Sequence, residues 1–258
     1  MTRHNIALIL ALLPPLAVRL YMDVLDDPAT ALERVGLLAL VAASAYGWSV
    51  VFARRFTTPQ TDQLHFAMLF CVLVPEPVSW GGAVLAASFG WVFGREIFGP
   101  RALLPPAIVA VAFGIFSFPN DDYTALNMLY AYPEPLLALA CLPGAAWLLW
   151  TRDLSPTVVA GTIAGAALTA WALGAPFIAN HFILGTFAVG VLFIAAAPDC
   201  APRSLSAKVV FGLLLGALII TVRLKNPDQP DGVAFAILLV ALFAPLLDRA
   251  FAWGKPDA

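Results

Sequence analysis

The chain reads as an all-α integral membrane protein of about ten transmembrane helices in one polytopic membrane domain, and three observations predict it. Of 258 residues, 61% are hydrophobic and 12% charged, which is about half the charged share of a soluble domain; mean hydropathy is +0.88. The apolar residues gather into runs comparable with the roughly 20 residues that cross a bilayer core. Between the runs stand short breaks of Pro, Gly and charged residues, with no stretch that could hold a soluble domain.

The first run, Ile6 to Met22, follows Arg3 and His4. No small-residue cleavage site follows it, and Arg19 and Tyr21 close it, so it is expected to be a retained helix. Val35 to Phe52 comes next, then Leu64 to Val78, which Pro75 and Pro77 break. Trp80 to Gly94, Leu103 to Phe118, Pro133 to Trp150 and Thr157 to Ala175 continue the series. The eighth run, Phe177 to Ala197, carries Asn180 and His181 near its start, and Val209 to Val222 and Val233 to Phe251 complete ten. The third and eighth are expected to be half-spanning or unwound, since such backbone is tolerated at membrane depth only where protein or a watery cavity satisfies it. Interruptions at corresponding places predict two five-helix repeats, about residues 1–118 and 132–252. An odd number of crossings per repeat inverts the second against the first.

Charge sets the orientation. With the N-terminus inside, ten Lys and Arg fall on the inner side and four (Arg19, Arg34, Arg223, Lys225) on the outer, so both termini are expected in the cytoplasm of a bacterial inner membrane. The loop with Asn120, Asp121 and Asp122 has no basic residue and suits the outside. Trp80, Trp147, Trp150 and Trp253 stand at run ends, where headgroups suit an indole. A net charge of −2 without a basic run points away from nucleic acid and leaves the lipid bilayer as the main partner. Cys71, Cys141 and Cys200 lie in or beside apolar runs at spacings that suit neither a disulfide framework nor a zinc site. They are expected to be buried thiols, and no metal site is expected.

Ionisable groups inside a bilayer are costly and so mark sites or partners. His65 near the start of the third run and His181 at the start of the eighth occupy equivalent positions in the two expected halves. The residues alone leave three roles open to them: hydrogen-bonded structural histidines, haem ligands, or contacts to another cofactor. Asp62 stands beside His65. Arg95 and Glu96 lie between Gly94 and Gly99; they read either as a charged helix end or as a place where backbone approaches a bound ring or phosphate closely. Arg223, Asn226, Asp231 and Gly232 frame a turn between the last two runs, where an Arg223 to Asp231 pair is expected. Asp248, beside Arg249, is expected to be a solvated helix end.

From Arg223 through Asn226-Pro227 to Pro230-Asp231-Gly232, then Leu242-Phe243-Ala244-Pro245-Leu246-Leu247-Asp248, the sequence resembles the end of the NqrB/RnfD family, membrane subunits of the sodium-pumping NADH:quinone reductase and of Rnf complexes. His181-Phe-Ile-Leu-Gly185 resembles that family's histidine-led eighth helix, and Arg95-Glu96-Ile97-Phe98-Gly99 its connection between the fourth and fifth helices. The resemblance implies ten helices in two inverted halves, similar to urea transporters. It also implies flavin. The Ser-Gly-Ala-Thr motif on which members carry covalent FMN does not occur here, the outer loop is shortened to about Pro119 to Tyr132, and Ala197 and Ala241 stand where an aspartate and an asparagine are usual. Covalent FMN is therefore expected to be absent.

The resulting expectation is a membrane subunit of a redox complex that carries electrons across or along the membrane. It would hold non-covalent FMN or riboflavin between the halves at Asp62, His65, Arg95, Glu96, His181 and Gly185. Other membrane, periplasmic or cytoplasmic redox subunits would be its partners. A cofactor-free scaffold for such subunits and a channel for a small polar solute are the alternatives.

Overall fold

A computed structural model of the chain describes residues 3–53, 61–74, 78–97, 104–118, 134–175, 177–184, 186–226 and 232–252. Among them every regular element is helical. In chain order these are α1 (Arg3–Asp26), α2 (Pro28–Ala53), α3 (Thr61–Leu73), α4 (Trp80–Trp91), which runs on into a π turn at Val92–Glu96, and α5 (Pro106–Ser117). Next are α6 (Pro135–Thr151), α7 (Pro156–Ala172), a 3-10 turn at Ile178–Phe182, and α8 (Phe187–Val189), which continues as a π turn at Gly190–Ala195. The last two are α9 (Leu205–Lys225) and α10 (Val233–Ala252). Helices α2, α5, α6 and α7 all open on proline, whose preset φ suits the first helical turn and whose missing N–H has no partner there in any case.

Among the described residues, four helices are long and apolar enough to cross a membrane: Ile6–Asp26, Pro28–Ala53, Leu205–Lys225 and Val233–Phe251. Shorter apolar helices accompany them; α7, with 17 residues, measures about 25 Å at 1.5 Å per residue. The chain is a multi-pass membrane protein. Its surface is apolar where a soluble protein's is charged, with Trp150 80% and Trp171 75% exposed.

Inside, small residues let helices approach closely, the usual basis of packing where lipid offers no hydrophobic drive between helices. In α7 and α9, Gly161 and Gly165 interleave with Gly212 and Gly216. A Cβ on Gly165 would lie 2.2 Å from Leu213 O, and one on Gly216 would lie 2.1 Å from Thr162 O. Any larger residue there has to part the two backbones. Helix α1 packs on α6, and α4 on α5.

Both runs expected to be irregular are short or broken. Helix α3 stops at Leu73, and Pro75 and Pro77 lie outside the described residues. The eighth run is divided into its 3-10, α and π pieces. Cys71, Cys141 and Cys200 are buried free thiols; burial pushes Cys200, in the turn before α9, up to about 12, so it stays protonated and inert.

Candidate functional site

Polar side chains concentrate at the two ends of α3 and at the broken eighth segment. At the start of α3, Asp62 sits in the first turn, where a carboxylate suits the positive end of the helix dipole. His65 follows one turn later on the same side and is half-buried. Across from them, α4 passes into its π turn, a feature that swings side chains out of ordinary helical register. The Arg95 guanidinium there donates to the Asp62 carboxylate and lies 5.2 Å from the centre of the Trp91 ring. Ser49, near the end of α2, is the hub. Its hydroxyl donates to Glu96 Oε1 at 2.9 Å and accepts from Trp91 Nε1 at 3.0 Å and Gln63 Nε2 at 3.2 Å, which uses the full capacity of a hydroxyl. Trp91 Nε1 also donates to Glu96 Oε1 at 2.9 Å, and Phe66 packs on the Trp91 ring with centroids 5.2 Å apart.

The sequence-predicted Asp62, Arg95 and Glu96 are thus brought together. Ser49, Gln63 and Trp91 complete the cluster, and no pattern in the sequence singled them out. Gly94, read as a place for close approach to a ligand, instead faces Pro106, whose Cα would lie 2.6 Å from an added Cβ. Gly99 lies outside the described residues.

The other end of α3 is closed by two arginines. A helix that stops among buried residues, as α3 does at Cys71 to Val74, leaves its last carbonyls without intrahelical donors. Arg34, fully buried, donates from Nη1 to Cys71 O at 2.7 Å and Val74 O at 2.8 Å. It also forms a two-pronged pair with Asp23, through Nη2 to Oδ1 at 2.9 Å and through Nε to Oδ2. Arg19 donates from Nε to Val72 O at 3.2 Å and grips both Glu134 carboxylate oxygens at 2.8 Å. Glu134, just ahead of α6, in turn gives its backbone N–H to Ile183 O at 2.9 Å. A continuous polar path therefore joins the end of α3 to the eighth segment.

In that segment Arg223, from the last turn of α9, donates to His181 O at 2.6 Å and Leu184 O at 2.9 Å and stands 5.7 Å from the Phe187 ring centre. The expected partner Asp231 and the candidate Gly185 both lie outside the described residues. Asn226 closes α9. Gly232 adopts φ +63, where a Cβ would sit 2.9 Å from Val222 Cγ1, so backbone conformation and space both call for glycine. Both ring nitrogens of His181 are buried and have no hydrogen-bond partner among the described residues. The hydrogen-bonded path reaches His181's segment from the Cys71–Val74 end of α3, about 10 Å along the helix from His65. Asp248, expected to be a solvated end, instead accepts from the backbone N–H groups of Arg203 and Ser204 at 2.9 to 3.1 Å, pinning the start of α9 to the end of α10.

The family described as NQR2, RnfD, RnfE matches this chain over residues 1–131 and 133–254. Among curated proteins, the NqrB subunit of the Na(+)-translocating NADH-quinone reductase of Chromohalobacter salexigens is 31% identical over 253 residues, covering 79% of this chain and 62% of that protein. The corresponding subunits from Pseudomonas aeruginosa and Yersinia pestis are each 30% identical, over 253 and 256 residues, covering 78% of this chain and 62% of theirs. The chain thus spans a little under two thirds of the length of these relatives.

Proposed function

The chain belongs to the NQR2, RnfD, RnfE family, and on that premise we propose that it is a membrane subunit of a multi-subunit redox complex, passing electrons across or along a bacterial inner membrane with the help of a non-covalent FMN or riboflavin. The observation that carries this reading is His181, a half-buried residue whose two ring nitrogens are buried and unpartnered among the described residues, on backbone that Arg223 holds in place. Buried polar atoms of that kind ask for a ligand, a water or an ion. A flavin edge offers the matching donors and acceptors. When bound, it supplies one- and two-electron chemistry, which no side chain here can replace. His181 would hydrogen-bond that edge, while Arg223, through the carbonyls of His181 and Leu184, would fix the position of the imidazole. The Asp62, Arg95 and Glu96 group is mostly occupied by protein partners and fits better as the support of His65 than as a direct holder of the ring.

Ten crossings in two inverted halves, about 1–118 and 132–252, with cytoplasmic termini, are part of the proposal. One relation supports the repeat: the π turn that continues α4, the fourth element of its half, carries Arg95, which reaches the start of α3. Likewise α9, the fourth of the other half, ends on Arg223, which reaches the start of the eighth segment. Relatives named as subunits of an NADH-quinone reductase support partner redox subunits. A scaffold without a cofactor is favoured by a different observation, that the arginines at both ends of α3 are bound to carboxylates of this same chain.

The native protein, purified with its partners, is expected to show flavin absorbance and to release riboflavin or FMN on acid precipitation. His181→Ala is expected to lower bound flavin at least several-fold at unchanged folded yield. A preparation with neither flavin nor haem would sink the carrier reading and leave the scaffold.

A further inference from the structure

Three arginines, two in one half of the chain and one in the other, do the same thing. Each directs its guanidinium at backbone carbonyls of a helix that stops or breaks: Arg34 at Cys71 O and Val74 O, Arg19 at Val72 O, and Arg223 at His181 O and Leu184 O. Interrupted segments leave carbonyls without intrahelical donors, and the negative end of the helix dipole adds to their pull on a cation. Oxygen ligands of this sort suit hard metal ions.

At Arg34 the oxygen set is the most complete. The two Asp23 carboxylate oxygens and the carbonyls of Cys71 and Val74 all converge on one guanidinium that has 0% exposure. The neighbouring Arg19 and Glu134 charges balance each other. Without the guanidinium, the cage would carry one net negative charge among the described residues.

We infer that the Asp23, Cys71 and Val74 oxygens form a site for a small monovalent cation, and that Arg34 is its resident, tethered occupant. The wild-type chain is thereby closed to free ions at the end of α3, and the cation that stabilises the interrupted helix is part of the polypeptide. Removing the side chain without removing its ligands should open the site to Na+, K+ or to guanidinium itself. This inference is independent of any flavin or partner, so its test does not depend on the proposed function.

The full chain and its Arg34→Ala variant are purified in detergent. Their thermal unfolding is followed in choline chloride, NaCl, KCl and LiCl at equal ionic strength, and in choline chloride with guanidinium chloride at about 1–10 mM, far below denaturing levels. The wild type is expected to unfold at the same temperature in every salt. Arg34→Ala is expected to unfold roughly 10 °C lower in choline chloride and to recover a large part of that loss, saturably, with Na+, K+ or guanidinium. Recovery should vanish in an Asp23→Asn, Arg34→Ala double variant.

If Arg34→Ala is not obtained folded in choline chloride, the readout becomes the yield of monodisperse protein when NaCl, KCl or guanidinium chloride is present throughout solubilisation; restored yield supports the site. Equal instability, or equal loss of yield, in every salt would overturn it, as would recovery that persists in the double variant. A wild-type midpoint that rises specifically with Na+ and loses that response in Asp23→Asn would overturn it too, because the site would then be open with Arg34 in place.

Discussion

Helix α3 is anchored by arginine–carboxylate pairs at both ends, and Arg34–Asp23 at one end and Arg95–Asp62 at the other are built for different conditions. At its C-terminal end the side chains of Arg34 and Asp23 are 0% and 6% exposed, and the guanidinium also serves two carbonyls. At its N-terminal end Arg95 and Asp62 are 28% and 19% exposed, and Arg95 lies over an indole rather than under backbone oxygens. A buried pair has given up its hydration, so losing one partner strands a charge. A partly wet pair can fall back on water. The contrast teaches that the end where the helix stops rests on buried charges, where removing one partner carries a large cost. The end carrying Asp62, His65, Arg95 and Glu96 is only partly buried, so a change there should cost less.

The sharpest way to break this contrast is to remove the two carboxylates separately. Asp23→Ala should cost about 3–5 kcal/mol, seen as a large drop in unfolding temperature or loss of monodisperse protein on size exclusion. The difference between the two ends disappears if Asp62→Ala does the same. Glu134→Gln probes the path from α3 to the eighth segment. It leaves Arg19 its bond to Val72 O but removes the charge, and a cost of about 1–3 kcal/mol is expected. Because Glu134 also holds Ile183 O through its backbone, amide hydrogen exchange around 181–184 should accelerate less than exchange at 71–74. Asp62→Asn should be the mildest, at about 0–1 kcal/mol. Raising salt from low ionic strength should shrink that difference and leave the Asp23→Ala effect unchanged, since screening acts on wet pairs far more than on dry ones.

Much of the architecture was legible along the chain. The membrane class follows from composition and run length, which need no knowledge of what touches what. The breaks at the third and eighth runs were announced by Pro75, Pro77, Asn180 and His181, because proline and polar residues disrupt helices through local chemistry. Gly232 was legible as part of a turn for the same reason. Asp62, Arg95 and Glu96 could be nominated because charged residues are rare in such a chain.

What touches what belonged to the tertiary structure. Ser49 is one small hydroxyl among many apolar neighbours, and it becomes a hub only when the end of α2 meets the starts and ends of α3 and α4. Arg19 and Arg34 counted in the sequence as outer-side topology charges, whereas folding turns both inward onto carbonyls whose need for donors arises only because α3 stops there. Arg223 likewise serves the eighth segment, 39 to 42 residues away. Composition and local breaks are properties of the chain itself, and those the sequence determined. Which buried charge meets which oxygen depends on how helices far apart in sequence stack, and backbone carbonyls, identical at every residue, leave no mark in the sequence to show which of them will need a partner.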